Sequence, residues 1–265
     1  MSNPPKSPER SYGRKSISAS AAPRDLLDAS HPLAQAWRVQ VITLLPQAFP
    51  GILGTSLTGR ALQDGLWQLT AHDLRDHGVG KHRNVDDTPA GGGAGMVLRA
   101  DVMGAAIDAA RRDAAPGSPL IYLSPRGRRF DQKMAQDLAA GPGMTLICGR
   151  FEGLDERVIE HYGATEVSLG DFVMTGGEIA AQAIIDAALR LRPGILGNAD
   201  SMVEESHSSG LLEHPQYTRP AEWQGRGIPD VLMSGNHGEI ARWRQAEAER
   251  ITRQRRPDMW DRYGK

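Results

Sequence analysis

The sequence Ser168-Leu-Gly-Asp-Phe-Val-Met-Thr-Gly-Gly-Glu178 is the most informative stretch of this 265-residue chain. It follows a short β-branched run, Ala164 to Val167, and leads into an apolar segment, Ile179 to Leu191, that favours a helix. α/β proteins place ligands where a strand ends in glycines and a helix begins, because the backbone can approach closely and the helix N-terminus offers free N–H groups. The stretch therefore predicts a ligand-binding strand exit.

Two earlier stretches have the same character. Leu120-Ile-Tyr-Leu-Ser-Pro-Arg-Gly127 ends an apolar run in a Pro/Gly turn, and Met144-Thr-Leu-Ile-Cys-Gly-Arg-Phe-Glu-Gly153 ends another in glycines. Three such loops at the carboxyl ends of successive strands predict one pocket with three walls. Three ordinary turns between strands and helices would give the same pattern, and this alternative stays open.

These loops carry a resemblance to a known family. The motifs Tyr122-Leu-Ser-Pro-Arg-Gly127, Cys148-Gly-Arg-Phe-Glu-Gly-Leu-Asp-Glu-Arg-Val158 and Leu169-Gly-Asp-Phe-Val-Met-Thr-Gly-Gly-Glu178 are similar to those of the bacterial tRNA (guanine-N1-)-methyltransferases. That family is part of the superfamily of knotted (SPOUT) methyltransferases. The likeness runs in order from about Trp37 to Asn236 and beyond.

The alternation of strand and helix patterns predicts an α/β fold, with an open, mainly parallel sheet flanked by helices. The resemblance adds a C-terminal trefoil knot in this sheet and a small α-helical C-terminal domain. No periodicity predicts a knot, because general topology rules exclude one. The predicted strands are Val39–Leu45, Leu66–Thr70, 119–123, 144–148 and 164–168, and the predicted helices are Ile52–Leu62, Asp101–Arg112, 131–139, 155–161, 177–191 and 238–256.

Composition bounds the class of protein. Apolar residues make up 40% of the chain, charged residues 24%, and the net charge is −1, so any contact with nucleic acid depends on local basic patches. The sequence contains neither an apolar run of membrane-spanning length nor a signal peptide, which predicts a cytoplasmic protein. The lone Cys148 is predicted to be a buried strand thiol.

Four regions are predicted along the chain. Residues 1–36 combine prolines, serines and charges with few large apolar side chains, which is typical of a disordered extension. The resemblance implies that residues 37–195 form the knotted cofactor-binding domain, 196–209 a flexible linker, and 210–265 a helical tRNA-binding domain.

The resemblance implies that the chain transfers a methyl group from S-adenosyl-L-methionine to N1 of guanosine 37 in tRNA, next to the anticodon. Two alternatives stay open. One is a knotted methyltransferase that acts on another RNA site, such as a ribose 2′-hydroxyl group. The other is a non-catalytic RNA-binding protein.

Guanine N1 carries a proton at neutral pH, so methylation needs a general base and a donor facing O6. The resemblance assigns Arg190 to O6, where a forked charge-assisted hydrogen bond fits. It places Glu205 where the family has an aspartate base, and Glu204 is a possible substitute. Alternatively, Arg190 is an ordinary helix-terminal arginine and both glutamates are solvated linker charges.

The resemblance also implies that S-adenosyl-L-methionine lies against the three loops. Glu152 would complement its positive charge; alternatively, Glu152 pairs with Arg150 or Arg157. The predicted cofactor-binding residues are Tyr122, Leu123, Pro125, Gly127, Gly149, Glu152, Ser168, Leu169, Gly170, Asp171, Phe172, Val173, Met174, Gly176 and Gly177.

RNA contacts are predicted in two places. The glycine-rich segment His77 to Gly95 resembles the part of the family that contacts the target guanine, which implicates Asp86 and Gly95. The basic helix predicted at 238–256 carries Arg242 and Arg244 around Trp243, which suits phosphate contact and base stacking, although a solvated helix face would look the same.

The resemblance further implies a homodimer, with each active site at the subunit interface and the anticodon stem-loop of tRNA as partner. The linker Asn198 to Ser209 is expected to be mobile without tRNA and ordered with it. His72, His77 and His82 are spaced five residues apart, which does not keep them on one helical face, so no metal site is predicted.

Overall fold

A computed structural model describes residues 36–196, 206–207 and 210–263 of the chain. Most of the predicted N-terminal extension and of the predicted linker, including Glu204 and Glu205, lies outside the described residues. The strands are β1 (Trp37–Thr43), β2 (Trp67–Asp73), β3 (Asp86–Asp87), β4 (Val97–Leu98), β5 (Leu120–Arg129), β6 (Gly143–Cys148), β7 (Thr165–Ser168), β8 (Glu222–Trp223) and β9 (Arg226–Gly227).

Five of these strands form the central sheet, in the order β2-β1-β6-β5-β7. Every neighbouring pair in it is parallel, so the predicted parallel α/β sheet is confirmed. The helices are α1 (Ser56–Gln63), α2 (Ala100–Asp113), α3 (Gln132–Ala140), α4 (Glu156–Tyr162), α5 (Glu178–Leu189), α6 (Asp230–Met233), α7 (His237–Arg255) and α8 (Pro257–Trp260).

Helices cover both faces of the central sheet. Along β1, Val39 and Val41 belong to an apolar cluster with Ile184 of α5, whereas Ile42 belongs to a second cluster with Ile107 of α2. Successive strand side chains point to opposite faces, so an uninterrupted apolar run supplies both clusters. This double burial explains why the strands lack polar alternation.

The helix predicted from Ile52 to Leu62 is wrong over its first turn. Residues Gly51–Gly54 form a separate 3₁₀ turn, and α1 begins only at Ser56. Thr55 is extended between them, and its hydroxyl group donates a hydrogen bond of 2.7 Å to the carbonyl oxygen of Ile52. A hydroxyl that bonds back to the preceding turn competes with the helical pattern, which accounts for the break.

The strand predicted to end at residue 123 is also longer than expected. Its pairing with β7 stops at Leu123 and resumes at Arg128, so the intervening residues form a bulge. Pro125 has no N–H group to donate to a ladder. A Cβ atom on Gly127 would lie 2.3 Å from the backbone nitrogen of Val167, so only glycine fits where the chain returns to β7.

The region after residue 210 contains α6 to α8 and a hairpin. The predicted helix 238–256 corresponds to α7, whose N-cap Asn236 accepts a hydrogen bond from the N–H of Glu239. The hairpin β8–β9 was not predicted; its turn residues Gln224 and Gly225 both have positive φ, as a two-residue type I′ turn requires. The buried side chains of this region are Leu211, His214, Ile251, Thr252 and Met259.

Candidate active site

A cleft of about 290 Å³ opens at the carboxyl ends of β5, β6 and β7. Its walls come from the three segments that follow these strands, so the predicted three-walled pocket is present in the structure. Carboxyl ends of parallel strands meet at one edge of a sheet, which brings loops distant in sequence together. The lining residues are Tyr122, Leu123, Ser124, Pro125, Arg126, Gly149, Arg150, Phe151, Glu152, Gly153, Leu154, Val167, Ser168, Leu169, Gly170, Phe172, Val173, Met174, Thr175, Gly176, Gly177 and Ala180.

The predicted cofactor residues all line this cleft except Gly127 and Asp171. Gly127 lies behind the wall, where its Cα packs against the backbone of Val167. Asp171 points outward, with a side chain that is 88% exposed and paired with Arg129. The lining residues that were not predicted to bind the cofactor lie inside the three quoted motifs, except Val167 and Ala180, so the signal for them was already present.

Two glycines let the backbone segments of the cleft floor touch. The N–H of Gly177 donates a hydrogen bond of 3.0 Å to the carbonyl oxygen of Gly149. A Cβ atom on Gly177 would lie 2.7 Å from the Cα of Cys148, and one on Gly149 would lie 3.0 Å from the ring of Tyr122. The end of β6 and the start of α5 are therefore in direct contact, and their backbone groups face the cleft.

Aromatic and apolar side chains surround the mouth of the cleft. Phe151 and Phe172 are 53% and 56% exposed, and Val173 is 83% exposed. Phe151 has a φ of 57°, an uncommon value for a bulky residue that the adjacent turn imposes. The hydroxyl group of Ser168 donates to the carbonyl oxygen of Gly170 at 2.9 Å, which shapes the loop that carries Phe172.

An ion pair lies below the floor of the cleft. The guanidinium group of Arg150 donates two hydrogen bonds to the carboxylate of Glu178, at 2.7 and 3.3 Å. The same guanidinium group donates to the carbonyl oxygen of Thr175 at 3.2 Å, and the hydroxyl group of Thr43 donates to Glu178 at 2.7 Å. The alternative partners considered for Glu152 are thus wrong, because Arg150 pairs with Glu178 and Arg157 with Asp155.

A second set of charges lies at the rim of the cleft. Arg126 contacts both Glu156 and Glu166, and hydrogen bonding to Glu156 is the main reason why its pKa is raised. Burial raises the pKa of the neighbouring Tyr122 hydroxyl group. The guanidinium group therefore stays charged and links the first wall to α4 and β7.

Cys148 is a free, buried thiol at the end of β6, as predicted. Burial raises its pKa well above the ordinary value for cysteine, and the nearby Glu178 carboxylate raises it further. Since only the thiolate is a good nucleophile, the environment of this side chain is that of a structural residue.

The glycine-rich segment predicted to contact RNA lies against the cleft. A Cβ atom on Gly95 would lie 2.5 Å from the Cγ of Glu152, and the N–H of Glu152 donates to the carbonyl oxygen of Met96 at 2.9 Å. Asp86 pairs with Leu98 across β3 and β4, and Leu98 in turn donates to the carbonyl oxygen of Gly153. The structure thus brings Asp86 and Gly95 next to the wall of the cleft that contains Glu152 and Gly153.

The remaining predicted residues do not line the cleft. Arg190 is half-buried at the C-cap of α5. Ala180 is the residue of α5 that lines the cleft, and a rise of 1.5 Å per residue places Arg190 about 15 Å farther along the helix. Arg242 and Arg244 are exposed on α7. Glu205, the predicted base, and Glu204 lie outside the described residues.

Within residues 36–196, 206–207 and 210–263, no group of three His, Cys, Asp or Glu side chains could hold a metal ion. None of the helices in the described part of the chain combines the length and the apolar character needed to cross a bilayer.

Comparison with known proteins gives consistent matches. A family model described as tRNA (Guanine-1)-methyltransferase TrmD matches residues 37–262. A protein of Roseobacter denitrificans named tRNA (guanine-N(1)-)-methyltransferase is 68% identical over 232 residues, covering 88% of this chain and 96% of that relative. A protein of the same name from Ruegeria pomeroyi is 71% identical over 227 residues, covering 86% of this chain and 93% of the relative.

An α/β methyltransferase is the class that the parallel sheet, its cleft and these matches define. The matched region begins at the first residue of β1 and contains all three walls of the cleft. The chain belongs to the tRNA (guanine-N1-)-methyltransferase family.

Proposed function

We propose that this protein transfers the methyl group of S-adenosyl-L-methionine to N1 of guanosine 37 in tRNA. The observation that carries this proposal is that the family match covers the whole cleft. It spans residues 37–262, which include every segment that lines the cleft. Relatives at 68% and 71% identity are named for guanine-N1 methylation of tRNA. The position within tRNA and the identity of the donor are inferred from the family resemblance.

The cleft fits an adenosine-containing donor. Its volume of about 290 Å³ is near the lower end of the range for small-ligand pockets, which suits a bent, tightly held molecule. The exposed backbone around Gly149 and from Leu169 to Met174 offers hydrogen-bonding groups to a base and a ribose. Gly176 and Gly177 keep side chains out of the floor. Glu152 supplies a negative charge at the wall.

When bound, S-adenosyl-L-methionine supplies an electrophilic methyl group on a sulfonium centre. The protein has to remove the proton from guanine N1 and stabilise the negative charge that grows at O6. We assign the first role to the carboxylate of Glu205, which accepts the proton, and the second to the guanidinium group of Arg190, which donates to O6. Departure of the neutral thioether completes the charge balance of the transfer.

The distance of Arg190 from the cleft supports a homodimer. Arg190 lies about 15 Å along α5 from the lining residue Ala180, which is farther than an extended arginine side chain spans. The start of α5 also carries exposed apolar side chains: Ile179 is 67% exposed and the nearby Ile52 is 69% exposed. Exposed apolar surface beside a cleft is typical of an interface. We therefore propose that each active site combines the cleft of one subunit with Arg190 and Glu205 of the other.

The substrate contacts follow from the same arrangement. Asp86 and Gly95 lie beside the cleft and would contact the target guanine, while Arg242 and Arg244 would contact phosphates of the anticodon stem-loop. Anticodon-loop bases are unpaired, so the target can be extruded without opening a duplex. We propose that residues 37–195 form a knotted domain, that 210–265 form a helical tRNA-binding domain, and that the protein works in the cytoplasm.

The proposed reaction is tested by incubating the protein with isotope-labelled S-adenosyl-L-methionine and an unmodified tRNA transcript. Nuclease digestion and mass spectrometry then locate the methyl group. We expect N1-methylguanosine at position 37 and no product with a transcript in which this guanosine is replaced by adenosine. A methylated ribose, or methylation at another position, would refute the proposal.

The assignment of the base is tested by Glu205→Gln, with Glu204→Gln as a matched control. An amide cannot accept the N1 proton, so we expect Glu205→Gln to abolish single-turnover methylation while donor affinity stays near that of the wild type. Glu204→Gln should keep at least half of the wild-type rate. Near-normal turnover by Glu205→Gln would contradict the assignment.

A further inference from the structure

We infer that Glu178 is a positioning residue for the donor cleft, acting through Arg150. This inference rests on the proposed function and adds a role for a buried carboxylate that does not itself line the cleft. Glu178 is the first residue of α5 and is 5% exposed, although most carboxylates lie on the surface. A buried charge of this kind is tolerated only when it is paired and fully hydrogen-bonded.

The hydrogen bonds of Glu178 join three separate parts of the site. Arg150, which follows β6, donates to both carboxylate oxygens, and Thr43, the last residue of β1, donates to one of them at 2.7 Å. Through its third nitrogen, Arg150 also reaches the carbonyl oxygen of Thr175. The second and third walls of the cleft are therefore held together by one guanidinium group, whose orientation is fixed by one buried carboxylate.

The glycines around Arg150 show how tightly this group is enclosed. A Cβ atom on Gly176 would lie 2.3 Å from the Nε of Arg150 and 2.6 Å from the carboxylate of Glu178. The Arg150 side chain is only 23% exposed, and the adjacent Gly177 N–H bonds to Gly149 across the floor. A planar guanidinium group that donates two hydrogen bonds to one carboxylate is fixed in a single orientation. A lysine ammonium group would not be fixed in this way.

Loss of the ion pair should therefore release the two walls from each other. The backbone groups near Gly149 and Thr175 would then sample several arrangements, of which one binds the donor. When a ligand binds only one of several arrangements, its apparent affinity falls in proportion to the fraction of the protein that adopts that arrangement. Donor affinity should respond to the Glu178–Arg150 pair even though Glu178 is not placed to touch the donor.

The experiment compares Glu178→Gln, Arg150→Met and their double variant with Asp101→Asn in the full-length protein. Glutamine keeps the volume of Glu178 and can still accept from Thr43, but an uncharged amide group then faces Arg150. Asp101→Asn also removes the charge of a carboxylate that accepts two hydrogen bonds from an arginine, Arg99, but this pair does not line the cleft. It thus controls for the general loss of an ion pair.

Titration calorimetry with S-adenosyl-L-methionine is the primary measurement. We expect the dissociation constant to rise about tenfold in Glu178→Gln, to change less than twofold in Asp101→Asn, and to rise no further in the double variant than in Arg150→Met. Hydrogen exchange of the Gly177 amide should accelerate in Glu178→Gln and not in Asp101→Asn.

Three results would overturn the inference. A dissociation constant within twofold of wild type in Glu178→Gln would leave Arg150 as a direct contact only. Additive effects of Glu178→Gln and Arg150→Met would show that they act independently. Equal losses in Glu178→Gln and Asp101→Asn would indicate general destabilisation. If the wild-type protein itself fails to bind the donor, the proposed function fails first and this inference fails with it.

Discussion

Gly177→Ala is the sharpest test of the cleft floor. The added Cβ atom would lie 2.7 Å from the Cα of Cys148 and 3.0 Å from the nitrogen of Gly149. Carbon atoms in ordinary contact are about 3.5–4.0 Å apart, so the methyl group overlaps backbone by about 1 Å. No side chain can rotate away, and the start of α5 must move from the end of β6.

Overpacking of this kind costs about 1–3 kcal/mol. The same movement lengthens the Gly177 to Gly149 hydrogen bond, which closes the floor. If donor binding restores the original floor, this cost reduces the binding free energy of the donor. The affinity for the donor then falls roughly 5- to 150-fold. Alanine itself has no difficulty with the backbone conformation, because the φ of Gly177 is −81°.

Titration calorimetry with S-adenosyl-L-methionine measures the effect, and circular dichroism confirms that the variant is folded. Gly227→Ala is the matched control: no heavy atom lies within 4 Å of a Cβ at that position, so affinity should not change. A folded Gly177→Ala protein that binds the donor within twofold of wild type would refute the reasoning from backbone contact.

Two further predictions concern single side chains. Asp155 caps α4 and is bonded by the Arg157 guanidinium group, which lowers the pKa of its carboxyl group. Asp155→Ala should therefore lower the stability by about 1 kcal/mol at pH 7. A lowered folded-state pKa means that the contribution is present above the unfolded value of about 4 and is lost as pH falls through the folded-state pKa, so the difference in unfolding free energy between the two proteins should shrink as the pH is lowered below about 4. Equal stabilities at pH 7 would contradict this. Because burial raises the pKa of Cys148, iodoacetamide should alkylate it at pH 8 only after unfolding, as followed by intact-mass spectrometry; rapid alkylation of the native protein would be inconsistent with the structure.

The cleft could be predicted in outline from sequence because its signals are local. Glycines after apolar runs indicated where the strands end, and the alternation of strand and helix patterns indicated a parallel sheet. Because Gly149 and Gly177 each follow a predicted strand, the sequence also indicated that both lie at the same edge of the sheet. Their hydrogen bond to each other could not be predicted.

The interactions that were missed depend on distant parts of the chain. Glu178 was predicted to start a helix, but its pairing with Arg150 and Thr43 arises only when three strand ends converge. The continuation of β5 beyond Pro125 was likewise missed, since proline and glycine normally end a strand and only the return to β7 restores pairing. The hairpin turn at Gln224 lacks the asparagine or aspartate that usually marks such turns.

The length of α5 has a consequence for the proposed dimer. One end of this helix lies in the floor of its own subunit's cleft, and the other end carries the arginine assigned to the neighbouring cleft. In the proposed dimer, a rigid α5 would carry a movement of the floor of one cleft to the arginine that serves the opposite cleft. Donor binding at one reaction centre would then alter the geometry of the second.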